Sequence, residues 1–342
     1  MSDVETAVGE SRPVWSVWHD LLPGLGIGLA GGLTWVGWFG GQDWRLDLLS
    51  HFRVQLVVLH FVLLLGLLLG LRGPRRWVWL GLLMPGLLGN GWPVLPYYVP
   101  HAARSATPTG ARLKLLHINV FAPNQRFDLM AKVIRQYDAD VVELMEYTED
   151  SRRGLEATGV FGDYPHRVTG RAHLGLYSKL PLRDTELRFV GQEQTANFAN
   201  LLTRVKVGDQ LVTLLVAHPH WPYMDNLARQ RLHFETWIRE RQSYGEHLIV
   251  MGDLNTSPWS YGFRQLVAQT DLRDSQLGFG VQPSWPRFVS QLGRFEPSWL
   301  FGVLGIPIDH VVVSSGFEVL RRETGPFVGS DHQPLFVEIY LR

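Results

Sequence analysis

The chain has no cysteine, which excludes disulfides, zinc–thiolate centres and thiol nucleophiles and leaves the redox compartment open. Charge is scarce as well. Only 19% of the 342 residues are Asp, Glu, Lys or Arg, and 32 basic residues face 32 acidic ones. The overall positive charge that marks many nucleic-acid-binding proteins is therefore missing. There is no G-x-S-x-G elbow, no internal repeat and no low-complexity tract. An apolar content of 46% excludes a disordered or collagen-like chain, and the length allows one large domain or two of ordinary size.

The scarcity of charge is uneven. Residues 1–110 hold seven Arg, six acids and no Lys, which leaves 25 basic and 26 acidic residues for the remainder. After an N-terminal tail (1–20), uncharged apolar runs occupy about 21–41, 54–71 and 77–98. A helix needs about 20 apolar residues to cross a bilayer, so 21–98 reads as a region of about three transmembrane helices. The second run is almost pure Val, Leu and Phe, broken by His60; the first is Gly-rich, and the third contains Pro85, Pro93 and Pro96. His60 reads as a polar contact between helices. Trp77, Trp79, Tyr97 and Tyr98 suit the membrane interfaces. Acidic Asp3, Glu5 and Glu10 argue against a cleaved signal peptide. The tight connector carrying Arg72, Arg75 and Arg76 favours the cytoplasm. Three crossings then place the C-terminal part outside, in a multi-pass protein of the cell membrane.

Residues 99–112 are small, polar and Pro-containing and read as a linker. Residues 113–342 read as one mixed α/β domain. Leu113–Val120 and Val141–Leu144 are strand-like, and Phe127, Met130, Val133, Ile134 and Tyr137 recur at helical spacing. Leu201–Val207 and Leu211–Ala217 flank Gly208-Asp209, a hairpin signal. Asn226–Ser243 reads as a long helix, and His247–Met251, Asp309–Ser314 and Leu335–Leu341 as strands. Hairpins and helices together predict a mixed sheet.

Polar residues gather where these strands end: His117 and Asn119; Glu143 and Glu146; His218 and His220; Asp253 and Asn255; Asp309; Ser330, Asp331 and His332. Strand ends let a rigid sheet aim side chains into one cleft. Carboxylates and carboxamides are hard oxygen ligands suited to Mg²⁺ or Mn²⁺, and His beside a carboxylate suits proton transfer. Together they fit metal-assisted hydrolysis of a phosphate ester.

In this order the motifs resemble those of the endonuclease/exonuclease/phosphatase superfamily, over about residues 113–342. The resemblance rests on Asn119, the run Asp140–Glu146, His218, Gly252-Asp253-Leu-Asn255 with Thr256-Ser-Pro258-Trp259-Ser260, Ile308-Asp309-His310, and Ser330-Asp331-His332. It implies an α/β (α+β) fold: a four-layer sandwich of two mixed β-sheets flanked by helices, preceded by the membrane helices. It further implies a Mg²⁺ (or Mn²⁺) cofactor with Glu146 as main metal ligand and Asn119 and Asp331 near the metal. Asp253 would orient or deprotonate water, and Asn255 would bind the phosphate. His332 would stabilise the transition state or transfer a proton, with its ring fixed by Asp309, and His218 would be a second phosphate-side or acid His. Ser178 matches a structural strand motif. Pro219 follows His218 where Leu is usual, so His218 and His220 both remain candidates. Met145 stands where Gln is usual. Glu143 and Glu146 are three apart on a strand, so they are not expected to share a metal.

The expected partners are the membrane lipid bilayer and a phosphate-ester substrate, either nucleic acid or phospholipid. A nuclease needs a local basic surface, for which the helix bearing Arg229, Arg231, Arg239 and Arg241 is the candidate. A lipid substrate fits the tether and aromatics such as Trp221, Trp285 and Trp299. The alternative is a catalytically silent, membrane-anchored binding module of the same fold, against which stands the competent residue at every site position.

Overall fold

The computed structural model describes residues 14–70, 73–100, 110–190, 199–223, 226–287 and 302–342. Most of the expected tail, most of the expected linker, Arg72 and Trp299 lie outside them. Four helices come first: α1 (Val14–Trp38), α2 (Trp44–Ser50), α3 (Arg53–Gly70) and α4 (Arg75–Tyr98). Among the described residues, α3 and α4 are long and apolar enough to cross a membrane, with mean hydropathies of 2.1 and 1.3. α1 covers the first expected run and carries Pro23 inside it. Outward-facing side chains on all three long helices are apolar, among them Leu29, Phe61, Leu65 and Leu88.

Between the helices the contacts are partly polar. Asn90 donates to Thr34 Oγ1 at 2.7 Å and accepts from Arg53 Nη1 at 3.2 Å. Pro93 has no amide hydrogen to give the carbonyl four residues back, and Arg53 Nη1 donates to that oxygen, on Gly89, at 3.3 Å. His60 Nδ1–H donates to the Leu56 carbonyl at 2.7 Å, and its ring rests against Gly86 of α4, where a Cβ would lie 2.2 Å from Nε2. The short helix α2 was not among the sequence expectations. Asp43 caps it by accepting from the Arg45 amide at 2.8 Å.

The remaining chain forms two mixed six-stranded sheets. The first has the order β11 (Phe317–Thr324), β12 (Leu335–Leu341), β1 (Arg112–Asn119), β2 (Val141–Met145), β4 (Leu174–Ser178), β3 (His166–Arg171). The second has β5 (Leu182–Arg188), β6 (Asn200–Val207), β7 (Gln210–Val216), β8 (Leu248–Asp253), β10 (Asp309–Val313), β9 (Arg273–Asp274). β1 runs parallel to β2 and β7 to β8, and the other pairings are antiparallel. Successive side chains point to opposite faces of a strand, and in the central strands both sets are largely apolar and buried, so each sheet has two buried faces there. Leu113, Leu115, Val141, Val216, Ile249, Met251, Val311 and Val337 fill the space between the sheets. Leu116, Ile118 and Val142 face outward onto α5 (Phe127–Tyr137) and α6 (Glu149–Glu156). Val250 and Val312 face α7 (Asn226–Glu240) and α8 (Tyr261–Gln269). Helix–sheet–sheet–helix is the predicted four-layer order. The predicted long helix over 226–243 ends at Glu240 and continues as a 3₁₀ turn through Tyr244.

The sandwich is docked on the helices. Tyr261 N–H donates to Asp47 Oδ1 at 2.9 Å, and Ser257 N–H to His51 Nδ1 at 3.0 Å. Gln55 Nε2 donates to the carbonyls of Val303 and Gly305 at 2.9 and 3.0 Å. The last carbonyls of α4, which lack helical partners, accept from the catalytic-side backbone: Gly278 N to Pro96 O at 3.2 Å and Gly280 N to Tyr97 O at 2.7 Å. Trp259 seals this seam against Val94 and Tyr97.

Gly252, near the end of β8, has φ +137°, and a Cβ there would meet Ala217 O at 2.2 Å and Met145 Cε at 2.3 Å. Gly252→Ala therefore combines a strained backbone with an overpacked seam, and it is expected to cost about 3 kcal/mol. Thermal unfolding of the purified chain should show the melting temperature falling by several degrees; an unchanged melting temperature would contradict this.

Candidate active site

Period-two alternation builds the site. Asn119 lies on the same face of its strand as Leu113 and Leu115, Asp253 as Ile249 and Met251, and Asp309 as Val311 and Val313. The inter-sheet core thus turns from apolar to polar at one end of the sandwich. All eight predicted site residues meet there. Glu146, His218, Asp253, Asn255, Asp331 and His332 line one cavity of about 560 Å³. Asn119 Nδ2 donates to Glu146 Oε1 at 3.2 Å and Asp253 Oδ2 at 3.1 Å, and Asp309 Oδ2 accepts from His332 Nδ1 at 2.8 Å.

Two of these side chains reach the cavity through left-handed backbone. Glu146 has φ +52° just past β2, and Asn255 has φ +50° past β8. Glu146 Oε2 then accepts from Ala122 N–H at 3.2 Å, and Asn255 donates to Pro219 O at 3.0 Å. His218 Nε2 and His332 Nε2 each stand 3.6 Å from Asp253 Oδ2. His220 is buried and does not line the cavity. Met145, in place of the usual Gln, offers its sulfur as acceptor to Asp253 N–H at 3.2 Å. Ser178 is buried and closes a turn by donating to Leu180 O at 2.7 Å.

Behind Asp309 lies a pair that the strand reading did not single out. His117 Nε2–H donates to Asp309 Oδ1 at 2.6 Å, and its Nδ1 is hydrogen-bonded to Glu143. Both residues are fully buried. Glu143 shares the inter-sheet face with Val141 and Met145, so it pairs with His117 and is not a partner of Glu146. The signal available was parity: a His and a Glu at inward positions of two neighbouring strands.

Burial disfavours charge on His117, but the Glu143 and Asp309 carboxylates outweigh it and raise the ring to about 10. His332 behaves alike: burial opposes its charge, and Asp309 and Asp253 raise it to about 9. Asp309, despite burial, is held well below the usual carboxylate range by His332 and His117. Burial pushes the Asp253 carboxyl up against the pull of His332.

Two carboxylate groupings meet the chemistry of a metal site. Ligand atoms of Asp253, Asp309 and His332 lie within 4.8 Å of one another, but each Asp309 oxygen already accepts from a histidine. Glu146 and Asp331 are the better hard-cation pair, with Asn119 beside them holding the Glu146 carboxylate through Nδ2 while its Oδ1 accepts from Phe121 N–H at 3.0 Å. Asp331 Oδ1 is buried with no hydrogen-bond partner among the described residues, while Oδ2 accepts from Trp285 Nε1 at 3.3 Å. Burial raises the Asp331 carboxyl, and the Glu146 charge adds to that against the pull of His332. A cation beside both carboxylates would relieve these strains, so the residues present fit a divalent ion.

Two arginines of the predicted basic stripe are used otherwise, while Arg229 and Arg239 are exposed. Arg231 bonds to the Gly40 carbonyl and faces Asp47 at 3.6 Å, and Arg241 pairs with Asp271 at 2.6 Å. Trp221 is exposed, and Trp285 is half-buried beside Asp331.

Replacing His117 by Leu leaves Glu143 and Asp309 buried without it, an expected loss of about 3–5 kcal/mol. Adding Glu143→Leu removes one stranded carboxylate and should recover a large part of that loss. Denaturant unfolding of the single and double variants reads this directly, and additive losses would refute the coupling.

A family model described as "Endonuclease/Exonuclease/phosphatase family" matches residues 116–332. Among curated proteins no sequence match was found. Solved structures share the fold at low identity. A crystal structure of D. rerio TDP2 complexed with single strand DNA product is 14% identical with a TM-score of 0.54, over 67% of this chain and 98% of that one. A family protein from Bacteroides thetaiotaomicron is 14% identical at 0.53, over 69% and 100%. One from Beutenbergia cavernae is 19% identical at 0.51, over 68% and 72%. The family match takes in strands of both sheets and all eight predicted site residues, and the chain belongs to the endonuclease/exonuclease/phosphatase family.

Proposed function

We propose that the chain is a membrane-anchored, multi-pass phosphoesterase that uses Mg²⁺ or Mn²⁺ to hydrolyse a phosphodiester or phosphomonoester, in nucleic acid or a phospholipid headgroup, by attack of water. The observation that carries this reading is the meeting, at one cavity, of an oxygen-rich set (Glu146, Asn119, Asp331) with an acid–base set (Asp253, His332, His218). A divalent cation held by Glu146, with Asn119 and Asp331 beside it, would offset the negative charge on the phosphoryl oxygens. Asp253, made more basic by burial, orients the water and accepts its proton as the new O–P bond forms. His332, raised to about 9, is charged near neutral pH and donates from Nε2 to a phosphoryl oxygen, while Asp309 fixes its ring through Nδ1. Asn255 Nδ2 retains a second hydrogen for the phosphate. His218 protonates the departing oxygen as the old P–O bond breaks.

The apolar outward faces of α1, α3 and α4 support anchoring in the cell membrane, and the arginines at 72, 75 and 76 support a cytoplasmic connector with the catalytic domain extracytoplasmic. A silent binding module is disfavoured by the satisfied hydrogen-bond order around Asp253, Asp309 and His332, which positions a base and a charged donor together.

Detergent-purified full chain should hydrolyse bis-p-nitrophenyl phosphate with Mg²⁺ and lose that activity in chelator. Asp253→Ala and His332→Ala should each lower kcat roughly a thousandfold. Full activity in chelator, or in either variant, would rule the mechanism out.

A further inference from the structure

We propose that the α2–α3 corner is part of the active site and that the substrate is a membrane phospholipid, taken with its phosphate at the Asp253–His332 end of the cavity. This rests on the phosphoesterase reading above and adds the substrate class to it.

The cavity that holds Glu146, Asp253 and His332 is also lined by Leu48, His51 and Phe52 from the helical front of the chain. α2 joins the end of α1 to the start of α3. It therefore sits at the level where the apolar helices stop, which is the headgroup level for helices that span a bilayer. The lining also includes Trp221, Tyr223 and Phe52, which are 65%, 51% and 44% exposed. Exposed aromatics grouped at a largely apolar cavity with charged groups at one end are unfavourable in water and suited to the boundary between headgroup and acyl chain. Trp44 of α2 holds the Tyr223 ring edge-on at 5.4 Å, which ties the two walls together.

His51 is part of the same lining. It is buried, and its Nδ1 accepts from Ser257 N–H at 3.0 Å, so the ring hydrogen belongs to Nε2. Burial disfavours a charged ring. That Nε2–H has no acceptor among the described residues and is itself closed off from water-sized groups, so in this conformation the ring contributes to the cavity wall by its shape. A nucleic-acid substrate would instead call for open cations near the cavity, and no Lys or Arg is among the described residues that line it.

The test uses the full chain with Mg²⁺ in phosphatidylcholine–phosphatidylglycerol vesicles, with bis-p-nitrophenyl phosphate and a single-stranded oligonucleotide as soluble comparisons. Vesicle phospholipid should be hydrolysed. In Phe52→Ser and Trp221→Ser the ratio of lipid to soluble-diester kcat/KM should fall on the order of tenfold, mainly through KM. Independently of turnover, a diazirine-bearing phospholipid should label peptides covering 44–53 and 219–223 in chelator. Hydrolysis of the soluble diester or the oligonucleotide without hydrolysis of vesicle lipid overturns the lipid assignment and leaves the phosphoesterase reading standing. So does an unchanged ratio in both variants, or labelling confined to other peptides. Absence of hydrolysis of all three substrates by folded chain removes the phosphoesterase reading and this inference with it.

Discussion

Asp309 is the point on which the site depends. It stands at the end of β10 in the second sheet, and its two oxygens hold two histidines from the side of the first sheet: His117 on β1 and His332 before β12. A buried carboxylate costs several kcal/mol unless well paired. This one repays that cost by clasping the two sheets at the end where the apolar seam gives out. The same clasp fixes which nitrogen of His332 faces the cavity. Glu143 completes the line behind His117, so two carboxylates share two histidine rings and the structure keeps their charge balanced without solvent.

Much of this was legible in the sequence, because alternation of apolar residues places every second side chain between the sheets. Leu113 and Leu115 predict where Asn119 points, and Val311 and Val313 where Asp309 points. The helix at Phe127–Tyr137, the hairpin at Gly208-Asp209 and the final strand follow the same elementary periods. What alternation does not convey is what happens one residue past a strand. Glu146 and Asn255 leave the strand face through left-handed backbone, a conformation non-glycine residues adopt at a cost that surrounding contacts must offset. β5 was unreadable because this edge strand is mostly charged and exposed, Leu182–Arg188, and β9 because it is two residues long. His117 and Glu143 were seen as polar residues near strand ends; their pairing needs the register between β1 and β2, which sets His117 opposite Glu143.

The docking of the sandwich on the helices was illegible for another reason. It is made largely by backbone groups, which every sequence carries. Ser257, Tyr261, Gly278 and Gly280 contribute amides, and Pro96 and Tyr97 contribute carbonyls. Side chains such as Asp47, His51, Gln55, Arg231 and Trp259 add to it, and none of them stands out in a sequence without a partner to match.

The free carbonyls at the end of α4 have a consequence for where this protein can be divided. The stretch between Tyr98 and Arg112 separates two regions of the chain but not two folding units, since the last turn of α4 is capped by backbone from residues 278 and 280. Cutting there would strip that turn of its caps and bare the Trp259, Leu277 and Val281 surface that now lies against Val94 and Tyr97. The excised sandwich would carry a sticky face of its own making, with one wall of its cavity gone.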